Sequence, residues 1–355
     1  DLEIQLSAAP LIPQHYQSWQ DKYSKLVGTG VRKIRPEQIY PSVNIRSSTR
    51  GFKKYQSTNL SYVEIQQQCN QDAEDLRNQV NQWLAVIKSQ LEANLNLCSN
   101  KDINTNKNST LSSNTSSNIN SNISSNINSN KNSNKNSNIL FTINTENIDN
   151  QVTRDILHRL PWREWDYFQE ISGLEAVLCL NESAAKPLKI KDDGRFRRVR
   201  ITSIFGDNEN INLENDKKLV AKLEQRGAEL INLNQPQRKD LIALWDEPCD
   251  ILFYSGHSIS SDDGSFGSLQ INSTESLNLQ EIRNTFQEAI SKGLQLAIFN
   301  SCDGLGLACE LAKLNLPYII VWREPVPDII AQTFIQYFLG SYAEGKSLFN
   351  SVRDA

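Results

Sequence analysis

Phe253-Tyr254-Ser255-Gly256-His257-Ser258 and Phe299-Asn300-Ser301-Cys302-Asp303-Gly304 are the two stretches that decide the fold of this chain. Each begins at the end of an apolar run, Ile251 to Tyr254 and Leu296 to Phe299, and breaks into small, turn-forming residues. The first break delivers a histidine and the second a cysteine. Buried strands that end this way belong to an α/β sheet, in which functional groups collect beyond the carboxyl ends of the strands.

The surrounding pattern extends this reading. Strands are predicted over 176–180, 200–205, 229–233, 250–254, 296–300 and 318–322, and helices over 213–225, 238–245, 279–291, 305–314 and 328–342. Strand and helix alternate, which predicts a mostly parallel sheet with helices on both faces. Upstream, 139–143 reads as a strand, and Leu160-Pro161-Trp162-Arg163-Glu164-Trp165 opens a short aromatic helix.

Before this region the character changes. Residues 99–138 are about two-thirds Asn and Ser, with too little apolar surface to offset the entropy of ordering, and read as a disordered insertion. Ahead of it, Cys69, Ala73, Leu76, Val80, Trp83, Ile87 and Leu91 recur at steps of four and three, which predicts an amphipathic helix over about 64–97. Its stripe suits packing within its own domain, the alternative being a coiled-coil partner face. A short helix is also expected over 15–27. The domain reading is therefore an N-terminal region, 1–98, the insertion, 99–138, and an α/β domain, 139–355. The chain has no methionine and ends inside a helical pattern, so it reads as a piece truncated at the C-terminus.

Composition narrows the function. The chain has 355 residues, 38% hydrophobic, and a net charge of −4. No basic field is present to attract a nucleic-acid backbone, so a nucleic-acid partner is not expected. No apolar run approaches the ~20 residues of a spanning helix, so a cytoplasmic location is expected, with no membrane partner within this segment. The six cysteines lie far apart without metal-ligand spacing, so neither a metal nor a disulfide framework is expected. No glycine-rich phosphate loop follows a strand, and no cofactor is expected.

The remaining chemistry lies in His257 and Cys302. Cys302 precedes the predicted helix at 305, whose amino end favours a thiolate, and His257 is a base able to accept the thiol proton if the sheet brings the two together. Gly256 and Gly304 leave room for an extended substrate backbone, and N–H groups at Gly256, Ser258, Cys302 and Gly304 are candidate donors to an oxyanion. Cys69, Cys98, Cys179, Cys249 and Cys309 read as packing residues. His15 and His158 read as solvated surface groups.

These residues carry a resemblance. Ile251–Ser258, the stretch 293–308 with its Asn300-Ser301-Cys302-Asp303-Gly304, and Val321-Trp322-Arg323-Glu324-Pro325-Val326-Pro327-Asp328 together resemble the CHAT-domain family. Its members are caspase-like cysteine peptidases, often associated with tetratricopeptide repeats. Residues 160–166 and Phe205-Gly206-Asp207 fit its cyanobacterial-type members. The resemblance implies a caspase-like fold with His257 as base and Cys302 as nucleophile. It further implies a cysteine endopeptidase that cuts a specific partner protein in regulation or in stress and defence signalling. Related caspase-like enzymes usually carry glycine directly after the histidine, where this chain has Ser258. Asp303, Glu324 and Asp328 are candidate pocket acids that would favour Arg or Lys at the cleaved position. The full-length protein would join the domain to tetratricopeptide repeats or to a membrane sensor module. The competing reading is a non-catalytic signalling or scaffold module on the same fold.

Overall fold

The computed structural model describes residues 2–5, 11–27, 62–104, 139–145, 148–170, 174–180, 198–209, 211–244, 247–260, 267–301 and 304–355. Its first layer is a three-stranded parallel sheet of β1 (Leu2–Gln5), β2 (Ile139–Asn144) and β3 (Leu174–Cys179), with β2 in the middle. Between β1 and β2 come α1 (Ile12–Val27) and α2 (Tyr62–Asn104), which pack on each other. The crossover from β2 to β3 carries α3 (Gln151–Arg159), a 3-10 turn at Trp162–Glu164 and α4 (Asp166–Glu170). Asn150 caps α3, its side-chain oxygen accepting from the Thr153 N–H at 2.9 Å.

One apolar core holds this layer together. Leu76, Val80, Leu84 and Ile87 of α2 meet Ile12 and Tyr16 of α1, and Phe141 and Ile143 of β2. Phe141 also sets its ring edge-on to Trp165 and Phe168, at 5.7 and 5.3 Å. The α2 stripe therefore faces its own layer. Ala73 of the predicted seam is exposed and Leu84, outside it, is buried, because a helix of 3.6 residues per turn drifts away from a 3.5-residue pattern. The helix also continues to Asn104, into the Asn/Ser tract, and the rest of that tract lies outside the described residues.

Residues 139–179, grouped by sequence with the domain that follows, thus share a sheet with residues 2–5. Period-2 patterning identifies a strand and its buried face but not its neighbour in the sheet.

His158 corrects its sequence reading as a surface group. It is buried, and its Nε2 lies 2.7 Å from Thr145 Oγ1. Burial, with Arg154 and Arg159 nearby, lowers its pKa to about 4. An unfolded imidazole takes up its proton near 6.5 and this one only near 4, so stability present above pH 6.5 is lost as pH falls through that window. The unfolding free energy should drop by about 3 kcal/mol between pH 7 and 4 from this group alone. Urea titrations of the native chain and of His158→Gln at both pH values check this. The variant should lack that component.

The second layer holds β4 (Arg200–Phe205), α5 (Glu214–Gln225), β5 (Glu229–Asn234), α6 (Arg238–Leu244) and β6 (Ile251–Ser255). A small antiparallel sheet follows, formed by β7 (Ser258–Ser260), β8 (Gly267–Gln270) and β9 (Ser276–Asn278). The chain then runs through α7 (Arg283–Ser291), β10 (Leu296–Asn300), α8 (Leu305–Ala312), β11 (Tyr318–Val321), α9 (Asp328–Ala343) and α10 (Leu348–Asp354).

Five of these strands form one parallel sheet in the order β11-β10-β6-β4-β5. Every residue of β6 and β10 is buried, as double coverage of a central strand requires. Ile251, Phe253, Leu296 and Ile298 face α5 and α9, packing on Val220, Ile335 and Phe338. Leu252, Tyr254, Ala297 and Phe299 point the other way, onto Phe286 of α7 and Leu307 and Leu311 of α8. The expected mostly parallel sheet with helices on both faces is what the chain forms. Among the described residues, no helix is long and apolar enough to cross a membrane.

Candidate functional site

The strand order reverses between β4 and β6. The chain leaves β4 to lay β5 on one side and returns to lay β6 on the other, the topology that in open parallel sheets gathers functional groups past the carboxyl ends of the two strands. Residues 206–209 follow β4 and residues 256–258 follow β6, and Gly206 donates its N–H to the Ser255 carbonyl at 2.8 Å. His257 lies just past β6, buried, with Nε2 2.7 Å from the carbonyl oxygen of Glu209. A carbonyl only accepts, so Nε2 carries the proton and Nδ1 is the basic nitrogen of the neutral ring.

β6 and β10 are adjacent and in register, with Ser255 opposite Asn300 as the last pair. His257 is two residues past Ser255, and Cys302 is two residues past Asn300. Cys302 and Asp303 lie outside the described residues. Next in sequence, Gly304 donates its N–H to the Trp322 carbonyl at 2.8 Å and precedes α8. That bond ties Gly304 to the end of β11 and occupies the N–H considered as an oxyanion donor. Ser258 is buried and pairs with Leu269 as β7 begins.

The glycine requirement at Gly256 and Gly304 has an internal cause. A Cβ on Gly256 would lie 2.6 Å from the Tyr254 hydroxyl oxygen and 3.2 Å from Gly206 Cα, and one on Gly304 would lie 2.8 Å from Val321 Cβ. The space that the sequence reading left for substrate is filled at both places by the fold. The Tyr254 hydroxyl is also within hydrogen-bond reach of the His257 and Gln270 carbonyls, at 2.7 and 2.9 Å, so it braces the backbone under the histidine.

At the ends of β6 and β10 is a residue that sequence reasoning missed. Asp216, in the first turn of α5, is fully buried, and its Oδ2 accepts from Ser255 Oγ and, at 3.1 Å, from Asn300 Nδ2. Asn300 Oδ1 in turn accepts from Trp322 Nε1 at 3.1 Å. One carboxylate thus binds the ends of both strands that lead to His257 and Cys302, and the chain of bonds continues to the loop after β11. A carboxylate in an amphipathic helix reads as solvated, so its sequence context carries no signal of this role. Asn300, a polar residue closing an apolar run, was the available hint.

The two other candidate pocket acids are engaged elsewhere. Glu324 accepts from Tyr16 Oη and, at 3.2 Å, from Gln20 Nε2 of α1, and it lies 3.5 Å from Arg159 of α3. Burial raises its pKa to about 8. Asp328 opens α9, and its Oδ2 accepts from Gln332 Nε2 at 2.7 Å and from the Asn212 N–H at 3.3 Å. Burial raises the thiols of Cys69 and Cys249, and pushes that of Cys309 up to about 11. These three are protonated at neutral pH and poorly nucleophilic. Among the described residues, no cluster of three or more His, Cys, Asp or Glu is arranged to hold a metal ion. No protein-family model matches the chain, and no curated protein matches it.

Proposed function

We propose that this chain is a caspase-like cysteine endopeptidase in which His257 is the base and Cys302 the nucleophile. The observation that carries the reading is the Ser255–Asn300 register pair on adjacent parallel strands, since both residues of the dyad stand at the same offset beyond it. Two further features agree with it. His257 holds its proton on Nε2 against the Glu209 carbonyl, which orients the ring and leaves Nδ1 as the base. α8 begins at Leu305, three residues after Cys302 in sequence, and the amino end of a helix favours a nearby thiolate.

In the proposed reaction, Nδ1 takes the thiol proton and the sulfur attacks the scissile carbonyl. The tetrahedral intermediate expels the amine, which leaves with the proton from the imidazolium, and a thioester remains. Water then hydrolyses the thioester with the imidazole again as base, and the thiol is restored. The partner protein is cut in regulation or in stress and defence signalling.

The test is cleavage of a proteome-derived peptide library by the native chain and by Cys302→Ala. Defined cuts by the native chain that vanish in a folded Cys302→Ala variant are expected. Cuts that persist in that variant refute the assigned nucleophile, and a native chain that cuts nothing refutes the peptidase reading.

A further inference from the structure

Between the first layer and the loop 322–326 lies a cleft of about 640 Å³, within the usual size range for small-molecule sites. Its apolar walls include Trp19 of α1, Leu76 and Val80 of α2, Trp165 and Trp322, and its charged lining is Arg77, Arg159 and Arg323 against Glu74, Glu164 and Glu324, the last with its pKa raised by burial to about 8 and so mostly uncharged at neutral pH. Arg323 is the anomaly. Its one hydrogen bond is from Nη1 to the Leu160 carbonyl, and among the described residues no carboxylate lies within 4 Å of its guanidinium. Burial, and then the neighbouring Arg159, lower its pKa to about 10, so it remains a cation at neutral pH. Arg159 has Asp155 at 3.0 Å. Glu324, the acid next in sequence, faces Tyr16, Gln20 and Arg159. A half-buried cation without a counter-ion carries a desolvation cost, and a ligand anion offsets it.

We propose that this cleft binds a small organic anion, its acidic group on Arg323 and its aromatic or aliphatic body between Trp19 and Trp165. Occupancy also reaches the candidate site, because Trp322 adjoins Arg323, donates to Asn300 and accepts from the Gly304 N–H. This second statement rests on the peptidase reading, and the first does not.

The probe is 1-anilinonaphthalene-8-sulfonate, titrated by fluorescence into the folded native chain, with N-phenyl-1-naphthylamine as its uncharged counterpart. Saturable binding of one equivalent of the sulfonate is expected. Arg323→Gln should weaken it at least tenfold while leaving the uncharged probe unchanged, and Trp19→Ala should weaken both. No saturable site on the native chain, or equal affinity for the sulfonate in Arg323→Gln, overturns the proposal. If Arg323→Gln does not fold, the native chain's preference for the charged over the uncharged probe decides the matter, and equal affinities overturn it. Saturating sulfonate should further change the rate of iodoacetamide modification of Cys302 at least threefold in the native chain. An unchanged rate overturns the coupling and leaves the binding site standing. Failure of the peptide-library test refutes the peptidase reading without touching the binding titration.

Discussion

His257→Gln should flatten the low-pH reactivity of Cys302 and remove peptide cleavage. Glutamine preserves a side-chain N–H for the Glu209 carbonyl but offers no base, so the exchange separates proton transfer from packing. In the proposed mechanism the imidazole holds the Cys302 thiolate below neutrality. Without it Cys302 should titrate like an ordinary thiol near 8.5, only about 1% ionised at pH 6.5. The iodoacetamide rate at pH 6.5 should then fall by up to about 100-fold and recover at pH 9. Cleavage should fall by about 10³-fold or more at every pH, because the histidine must also protonate the leaving amine. Rate profiles over pH 5.5–9.5 check both statements. Coincident profiles for the native chain and the variant would remove His257 from the chemistry.

Asp216→Ala should damage stability and turnover together. The substitution leaves Ser255 Oγ and Asn300 Nδ2 buried without their acceptor, at a cost of about 3 kcal/mol. It also unties the ends of β6 and β10, and displacements of about 1 Å at a reacting pair cost on the order of 10²-fold in rate. Asp216→Asn keeps an acceptor oxygen in nearly the same shape and should restore most of the stability. Urea denaturation together with kcat and KM for one mapped cleavage site separates the effects. Asp216→Ala should lower kcat with little change in KM, and a change confined to KM would mean that Asp216 contacts substrate instead of positioning the dyad.

How much was legible follows from the kind of signal each element carries. β4 and β10 were read with their observed limits, 200–205 and 296–300, since β10 is an apolar run closed by Asn300 and β4 is a short stretch rich in β-branched residues that stops at Gly206. Helices α5 and α9 differ by one residue at an end from their predicted spans. The three short strands β7, β8 and β9 were not anticipated, because they are three or four residues long and rich in polar side chains, which resemble a loop. His257 stood out because a histidine after a buried strand is rare in this chain. Asp216, Glu324 and Asp328 did not reveal their roles, because a carboxylate in a helix or a proline-rich loop carries the same local pattern whether it is solvated or buried.

The sequence by itself determined the α/β alternation, the burial of β6 and β10, and the delivery of a histidine and a cysteine at two strand ends. Only the tertiary structure decided that β2 joins β1 instead of the larger sheet, that β6 and β10 are neighbours in register, and that Asp216 lies beneath both. Periodicity measures which side of an element avoids water, and water is excluded equally well by many partners. Which partner does so depends on contacts between residues more than 80 positions apart, such as Asp216 and Asn300, and no local pattern encodes them.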